Sequence, residues 1–409
     1  MLPPVPARPS LTEIFLVSLR LGCTSFGGPV AHLAFFREEF VARRRWLDDA
    51  HYADLVALCQ FLPGPASSQA CFGVGFLQRG LPGGVLASLG FTLPSAVLMI
   101  GFALGLARAG DFSSAGWLHG LKAASVAVVA QAVWLMWRNL SPDLPRSAVA
   151  AGAACLLLRW PETGSQIAVI AAGALIGWRL LRPAESPVSG IAAPSHSTNP
   201  KHSPATARSV AGIACLLLFT ILLISLPWLA HAGSSPALDL FDRFYRAGSL
   251  VFGGGHVVLP LLEREVVAPG WVSPDQFLAG YGAAQAMPGP LFSFAGYLGA
   301  ATTHGGGGIG GGILALVAIF LPAFLLVGGA LPYWQRLRTR PGAQAAMRGA
   351  NAAVVGVLFA ALIHPVGTLG LVNLRSAAMA AGALFLLQLA RLPAWSVVAL
   401  AALAGAMIL

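Results

Sequence analysis

The chain has 409 residues, of which 56% are hydrophobic and only 10% are charged, against roughly 25% charged in an ordinary soluble domain. That balance excludes a soluble globular protein, and long continuous apolar stretches rich in Ala, Leu, Val and Gly exclude a β-barrel, whose strands alternate with period two. The formal net charge of +10 is spread over arginines in short loops, so it reads as orientation in a bilayer and not as a nucleic-acid surface.

Apolar segments run, in chain order, over 11–36, 52–62, 66–77, 83–107, 117–137, 147–160 and 164–181, and then over 209–229, 239–262, 276–287, 291–303, 309–331, 343–363, 375–389 and 394–409. Between the two sets, 183–208 is Pro-, Ser-, Ala-, His- and Thr-rich without helical periodicity, as expected of a flexible polar linker. The organisation expected is an N-terminal membrane repeat (1–182), this linker, and a C-terminal repeat with one extra leading helix (209–409). The Pro-rich start, Met1 to Ser10, lacks the features of a cleaved signal. The five cysteines have no CxxC spacing and read as packing residues.

The two halves are repeats, because rare residues recur in order at nearly one offset. Phe26-Gly27-Gly28 matches Phe252-Gly253-Gly254, Trp46 matches Trp271, Gln60 matches Gln285, Pro63-Gly64-Pro65 matches Pro288-Gly289-Pro290, and Gly83-Gly84 with Pro94 matches Gly311-Gly312 with Pro322. Loop charge predicts that the repeats are inverted. Arg43-Arg44-Arg45 has an uncharged counterpart in half two, whereas Arg336, Arg338 and Arg340 face only Arg108, offset by Asp111, in half one. Inversion requires an odd number of crossings before half two begins. One segment per half must therefore fail to cross, and the first, broken at Phe-Gly-Gly, is the candidate for entering and returning on one side. The fold class expected is an all-α polytopic membrane protein of two homologous, inverted halves with broken or re-entrant helices.

Pro63-Gly64-Pro65 and Pro288-Gly289-Pro290 forbid continuous helix. Irregular backbone at membrane depth is tolerated only where protein buries it or a wet cavity meets it. Paired breaks at matching positions are the usual pointer to a midplane site, where half-helix N-termini offer free N–H groups to an anion; tight turns at the surface are the plainer reading. Gly27, Gly28, Gly253 and Gly254 fit either unwound points or close helix packing. Donors near the breaks are Ser25, Gln60, Ser67, Ser68, Gln69, His256, Gln285 and Ser293, suited to a tetrahedral oxyanion or to ordinary helix contacts. Lys122 and Arg348 occupy equivalent positions and would either attract an anion or snorkel to the interface. Glu39, its match Glu265, and Asp54 are the acids able to relay protons, or else solvated helix ends.

These motifs are specific enough to carry a resemblance. SFGGPVAHLAFFREEFVARRRWL and LCQFLPGPASSQ in half one, and VFGGGHVVLPLLEREVVAPGWVSPDQFLAGYGAAQAMPGPLFSFAGYLGA in half two, resemble the chromate ion transporter family in its long form with two homologous halves. The resemblance implies a multi-pass inner-membrane carrier that exports chromate, driven by the proton motive force, with the Phe-Gly-Gly and Pro-Gly-Pro positions as functional elements. Sulfate, also a tetrahedral dianion, asks for the same donors, and a passive anion channel remains the alternative in mechanism. No cofactor or metal site is implied, no catalytic cluster of an enzyme is present, and no Walker A motif for ATP-driven pumping occurs. Partners expected are the oxyanion, the lipid bilayer and, in a dimer, a second copy of the chain.

Overall fold

A computed structural model describes residues 8–109, 115–160, 163–181, 205–233, 235–252 and 255–408. Most of the expected linker, Asp111, Gly253, Gly254 and the first seven residues lie outside the described residues. Every regular element described is helical.

Half one opens with α1 (Leu11–Thr24), whose first turn is capped by Ser10, with the Glu13 N–H donating to Ser10 Oγ at 3.0 Å. The chain unwinds at residues 25–27, then forms α2 (Gly28–Phe36), prolonged by π-type turns over Arg37–Arg43. α3 (Asp49–Phe61) starts at an Asp48 cap and stops at the Pro-Gly-Pro break, after which α4 (Ala66–Ala109) begins. α4 is bent at Arg79 and Gly80, where Gly80 has φ +65°. α5 (Gly116–Leu140), α6 (Leu144–Arg159) and α7 (Thr163–Leu180) complete the half. A linking helix, α8 (Ala205–Ala232), leads into half two. That half repeats the pattern as α9 (Pro236–Ser249), α10 (Val258–Val266, preceded by a 3-10 turn over Gly255–Val257), α11 (Pro274–Ala286), α12 (Phe294–Ala301, preceded by a turn over Leu291–Ser293) and α13 (Gly308–Ala330). α14 (Trp334–Leu337), α15 (Pro341–Ala361), α16 (Thr368–Gly370), α17 (Leu374–Gln388) and α18 (Ala394–Ile408) finish the chain.

The first segment returns to the face it entered from. Arg44, after the π turns, pairs with Glu13 near the start of α1 at 2.6 Å. The expectation of a single returning segment per half needs correction, because the next two segments also return. Gln78, at the end of the first leg of α4, donates to the Trp46 carbonyl at 2.6 Å, just ahead of α3. The physical reason is length: the 13 residues of α3 rise only about 20 Å, short of a hydrocarbon core roughly 30 Å thick. α3 and 66–78 therefore form a second hairpin with its tip at Pro-Gly-Pro. Half two matches. Glu265 on α10 folds back onto Arg243 and Arg246 of α9, and Tyr297 of α12 donates to the Gln276 carbonyl of α11 at 2.8 Å.

The halves are inverted. The second leg of α4, residues 81–109, is about 43 Å long at 1.5 Å per residue, so its ends lie on opposite faces. Arg79 donates to the Pro9 carbonyl at 2.7 Å, which puts the hairpin bases of half one at the starting end of that leg. Arg338, beyond α13, pairs with Asp54 near the base of α3, so α13 ends on the same face. Its start, beside His304, Asp239 and Trp271 at the hairpin bases of half two, therefore lies on the other face. Among the described residues, five helices are long and apolar enough to cross a membrane, α8 among them; inserted between two halves that each return to their own starting face, α8 supplies the odd crossing.

The last helices are exchanged between halves. α6 and α7 pack on α15, and α17 and α18 pack on α5. The seams are small-residue contacts: a Cβ on Gly173 would meet Ala353 Cβ at 2.6 Å, and one on Gly177 would meet Gly349 Cα at 2.7 Å. Such residues let helices approach where lipid offers no hydrophobic drive to associate.

Candidate functional site

Four hairpin tips, two from each face, meet in the middle of the molecule, and they meet across the repeat. The Gly64 N–H donates to the Val251 carbonyl at 2.7 Å, and the Gly289 N–H donates to the Ser25 carbonyl at 2.9 Å. Gly64 and Gly289 are equivalent positions, as are Ser25 and Val251, so each Pro-Gly-Pro tip is latched to the partner half's Phe-Gly-Gly tip by the same bond. Pro29 and Gly255 are equivalent too, and a Cβ on Gly255 would lie 3.5 Å from Pro29 Cγ. Only residues beside a two-fold axis can touch their own counterparts, which locates the pseudo-symmetry axis between the two Phe-Gly-Gly tips.

The glycines at these tips are dictated by backbone. Gly27, Gly28, Gly64 and Gly289 have φ of +100°, +80°, +124° and +95°, a region costly for a residue with a Cβ. Space is equally tight: a Cβ on Gly289 would lie 2.9 Å from Ser95 Oγ, and one on Gly64 would lie 3.0 Å from Ala323 Cβ.

At each tip the returning helix begins, so the N-termini of α2, α4, the turn before α10 and the turn before α12 all point inward. Carbonyls of the incoming arms are already used: Ser25 and Val251 accept the latch bonds, Pro63 accepts from Gln69 Nε2 at 2.8 Å, and Pro290 accepts from Ser293 Oγ at 2.8 Å. The first N–H groups of a helix have no intrahelical acceptor. Each N-terminus carries about half a positive charge, and four together approach about +2, the magnitude of a dianion. Several buried side-chain atoms at the tips also lack a protein partner: Ser25 Oγ, Ser68 Oγ and Gln69 Oε1.

The remaining residues singled out from sequence fall in different places. Gln60 is exposed, and Pro63 and Pro288 are half-buried, while Pro65 and Pro290 are buried. His256 Nδ1 lies 2.9 Å from the Tyr281 hydroxyl, on the arm facing Gln285. Lys122 and Arg348 do not join the tips. Lys122 is ion-paired at 2.6 Å with Asp275 at the base of α11, and Arg348 reaches Gln344 Oε1 on its own helix at 3.5 Å. Glu39 is paired with Arg43 and Arg44, Glu265 with Arg243 and Arg246, and Asp54 with Arg338, all at hairpin bases.

Two tip residues escape a reading of the sequence. Ser95 packs on Gly289, and His32 is buried with Nδ1 unpartnered, edge-on to Phe91 at 5.4 Å. Ser95 was within reach: it follows Pro94 as Ala323 follows Pro322, and these two positions face the two Pro-Gly-Pro glycines. His32 has Val258 at the equivalent position and leaves no signal in the repeat.

Opposed re-entrant hairpins with tips at an internal pseudo-two-fold axis define a polytopic membrane protein of two inverted halves. A family model described as chromate transporter matches residues 12–178 and 238–406, one match per half, and the chain belongs to that family. It is 30% identical to a chromate transport protein of Pseudomonas aeruginosa over 88% of this chain and 82% of that protein. It is 28% identical to a probable chromate transport protein of Synechococcus elongatus, over 87% of this chain and 84% of the relative. A chromate transport protein of Cupriavidus metallidurans is 26% identical over 87% and 82%. No solved structure matches the chain.

Proposed function

We propose that the chain is a secondary transporter that carries chromate out of the cytoplasm across the inner membrane, drawing on the proton motive force. The relatives named for chromate transport supply the substrate. The observation that carries the site is the reciprocal latch of Gly64 to Val251 and Gly289 to Ser25, which gathers four helix N-termini around one point. The oxyanion then sits at Ser25, Gly27, Gly28, Pro63-Gly64-Pro65, Ser68, Gln69, Gln285 and Pro288-Gly289-Pro290. There backbone N–H groups, hydroxyls and amides replace its hydration shell and no fixed cation is required in direct contact. Lys122 and Arg348, two turns inside opposite faces, add a longer-range attraction. Glu39, Glu265 and Asp54 are the candidates for moving protons.

The face carrying Arg43, Arg44, Arg45, Arg79, Arg336, Arg338 and Arg340 is the cytoplasmic one by the distribution of basic residues. Hairpins of half one then reach the site from the cytoplasm and those of half two from the opposite side, so the bound anion is equally near both.

The test is chromate accumulation in everted membrane vesicles, with sulfate in competition. Uptake against a gradient that stops when the proton gradient is dissipated supports the reading. Uptake that only equilibrates identifies a channel, uptake indifferent to the proton gradient removes the coupling, and preferential sulfate uptake changes the substrate.

A further inference from the structure

The charged bases of the first hairpins are not equivalent in the two halves, and the difference is one carboxylate. In half one, two carboxylates meet two guanidinium groups: Glu13 pairs with Arg44 at 2.6 Å, and Glu39 pairs with Arg44 at 2.7 Å and Arg43 at 3.0 Å. That set is balanced, and Glu39 has two close cations.

In half two, three carboxylates meet two guanidinium groups. Asp239 and Arg243 form one pair along α9 at 3.0 Å, and Asp242 and Arg246 form another at 3.0 Å. Glu265 approaches from α10 and finds both arginines already matched, at 3.5 Å from Arg243 and 3.4 Å from Arg246. Its side chain is 8% exposed and that of Asp242 is 1% exposed, so these two carboxylates are held away from water although Asp239 and both arginines reach it. The extra acid is an addition of half two: Leu16 stands where Asp242 has its counterpart.

The groups facing Glu265 are Asp239, Asp242, Arg243 and Arg246 of α9. His304, from the loop before α13, touches Asp239 at 3.3 Å and stacks on Trp271 at 4.1 Å between centroids. The Arg243 guanidinium lies over the same indole at 4.4 Å. His364, beyond α15, lies with Arg264 on another side of α10, against the pocket wall formed by Pro260, Leu157 and Val357. A buried cluster with one surplus negative charge takes up a compensating charge instead of remaining ionised.

We propose that Glu265 is a single-proton site on the face opposite the Arg43–Arg45 loop, holding a proton at neutral pH, a role that its repeat counterpart Glu39, with two close cations of its own, does not share. This rests on the transport reading above for its use, since it makes Glu265, and not Glu39 or Asp54, the group that loads a proton from the outer side. Losing that proton would strand a charge between α9 and α10, at the base of the hairpin whose tip carries the Phe252 motif. Protonation is thereby linked to the packing of the arm that shapes the central site.

The experiment is infrared spectroscopy of the purified full-length protein in lipid nanodiscs at pH 7, reading the carbonyl stretch of a protonated carboxylic acid. The wild type should show a band that disappears in Glu265→Gln and persists in Glu39→Gln. Asp242→Asn, which frees Arg246 for Glu265, should shift the band's titration to lower pH, and this variant decides the matter if Glu265→Gln does not accumulate. No band in the wild type, a band surviving Glu265→Gln, or a titration unmoved by Asp242→Asn overturns the proposal. In everted vesicles, Glu265→Gln should remove the stimulation of chromate uptake by interior acidification; an unchanged stimulation overturns the coupling role. Wild-type vesicles that move no chromate, with the band behaving as stated, would sink the transport reading and leave the proton site standing.

Discussion

Gly289→Ala places a methyl group at the latch between the halves. Gly289 has φ +95°, and left-handed backbone costs a residue with a Cβ about 1–2 kcal/mol. The new Cβ would lie 2.9 Å from Ser95 Oγ and 3.2 Å from Ser95 Cβ, an overpacking that adds about 1–3 kcal/mol in a close-packed interior. The total, about 2–5 kcal/mol, lowers the population of the latched tip roughly thirtyfold or more at tenfold per 1.4 kcal/mol. Gly80→Ala is the control: φ is +65° but nothing lies within 4 Å of the added Cβ, so it meets only the backbone penalty, far from the tips. Uptake in everted vesicles, normalised to protein in the membrane, should fall at least tenfold for Gly289→Ala and less than threefold for Gly80→Ala. Equal effects, or a Gly289→Ala carrier within twofold of wild type, would refute the idea that tip geometry is tightly held and required.

Asp275→Asn should lower the thermal unfolding midpoint more than Lys122→Met. The Lys122 side chain is 5% exposed and that of Asp275 is 40% exposed. Removing the acid strands a buried ammonium at up to about 3 kcal/mol, whereas removing the amine leaves a carboxylate that water can solvate; the reverse order would contradict the assigned burial. With native cysteines replaced, Ser10→Cys and Arg45→Cys should resist a membrane-impermeant maleimide applied from outside, while Gly270→Cys reacts. Labelling of positions 10 and 45 from opposite sides would break the re-entrant hairpin. Arg348→Ala should depress chromate uptake more than Arg391→Ala, since Arg348 is half-buried and Arg391 is exposed; equal losses would mark both as interfacial anchors.

Much of this architecture is legible along the chain because its causes are local or are counted by composition. Proline cannot donate a backbone hydrogen bond wherever it sits, so the breaks at 63–65 and 288–290 are readable in isolation. Apolar length and loop charge report on solvent, not on neighbours, and so duplication, membrane class and inversion follow from order alone. The pair 52–62 and 66–77 reads along the chain as two crossings, and only Gln78 lying beside Trp46 shows it to be a second hairpin.

Tertiary structure decided which pieces face one another. Nothing near Gly64 says that its N–H ends on Val251, far along the chain, or that Pro29 meets its own counterpart on a symmetry axis. The same holds for Lys122, whose ion-pair partner Asp275 is contributed by the other half. Glu39 and Glu265 look alike in sequence, and their difference arises from Asp242, which crowds one and has no equivalent beside the other. Hydrogen bonds and Coulomb energies fall off over a few ångströms in space irrespective of separation along the chain, so partners supplied by an exchanged, inverted repeat become visible only when the two halves are interlocked.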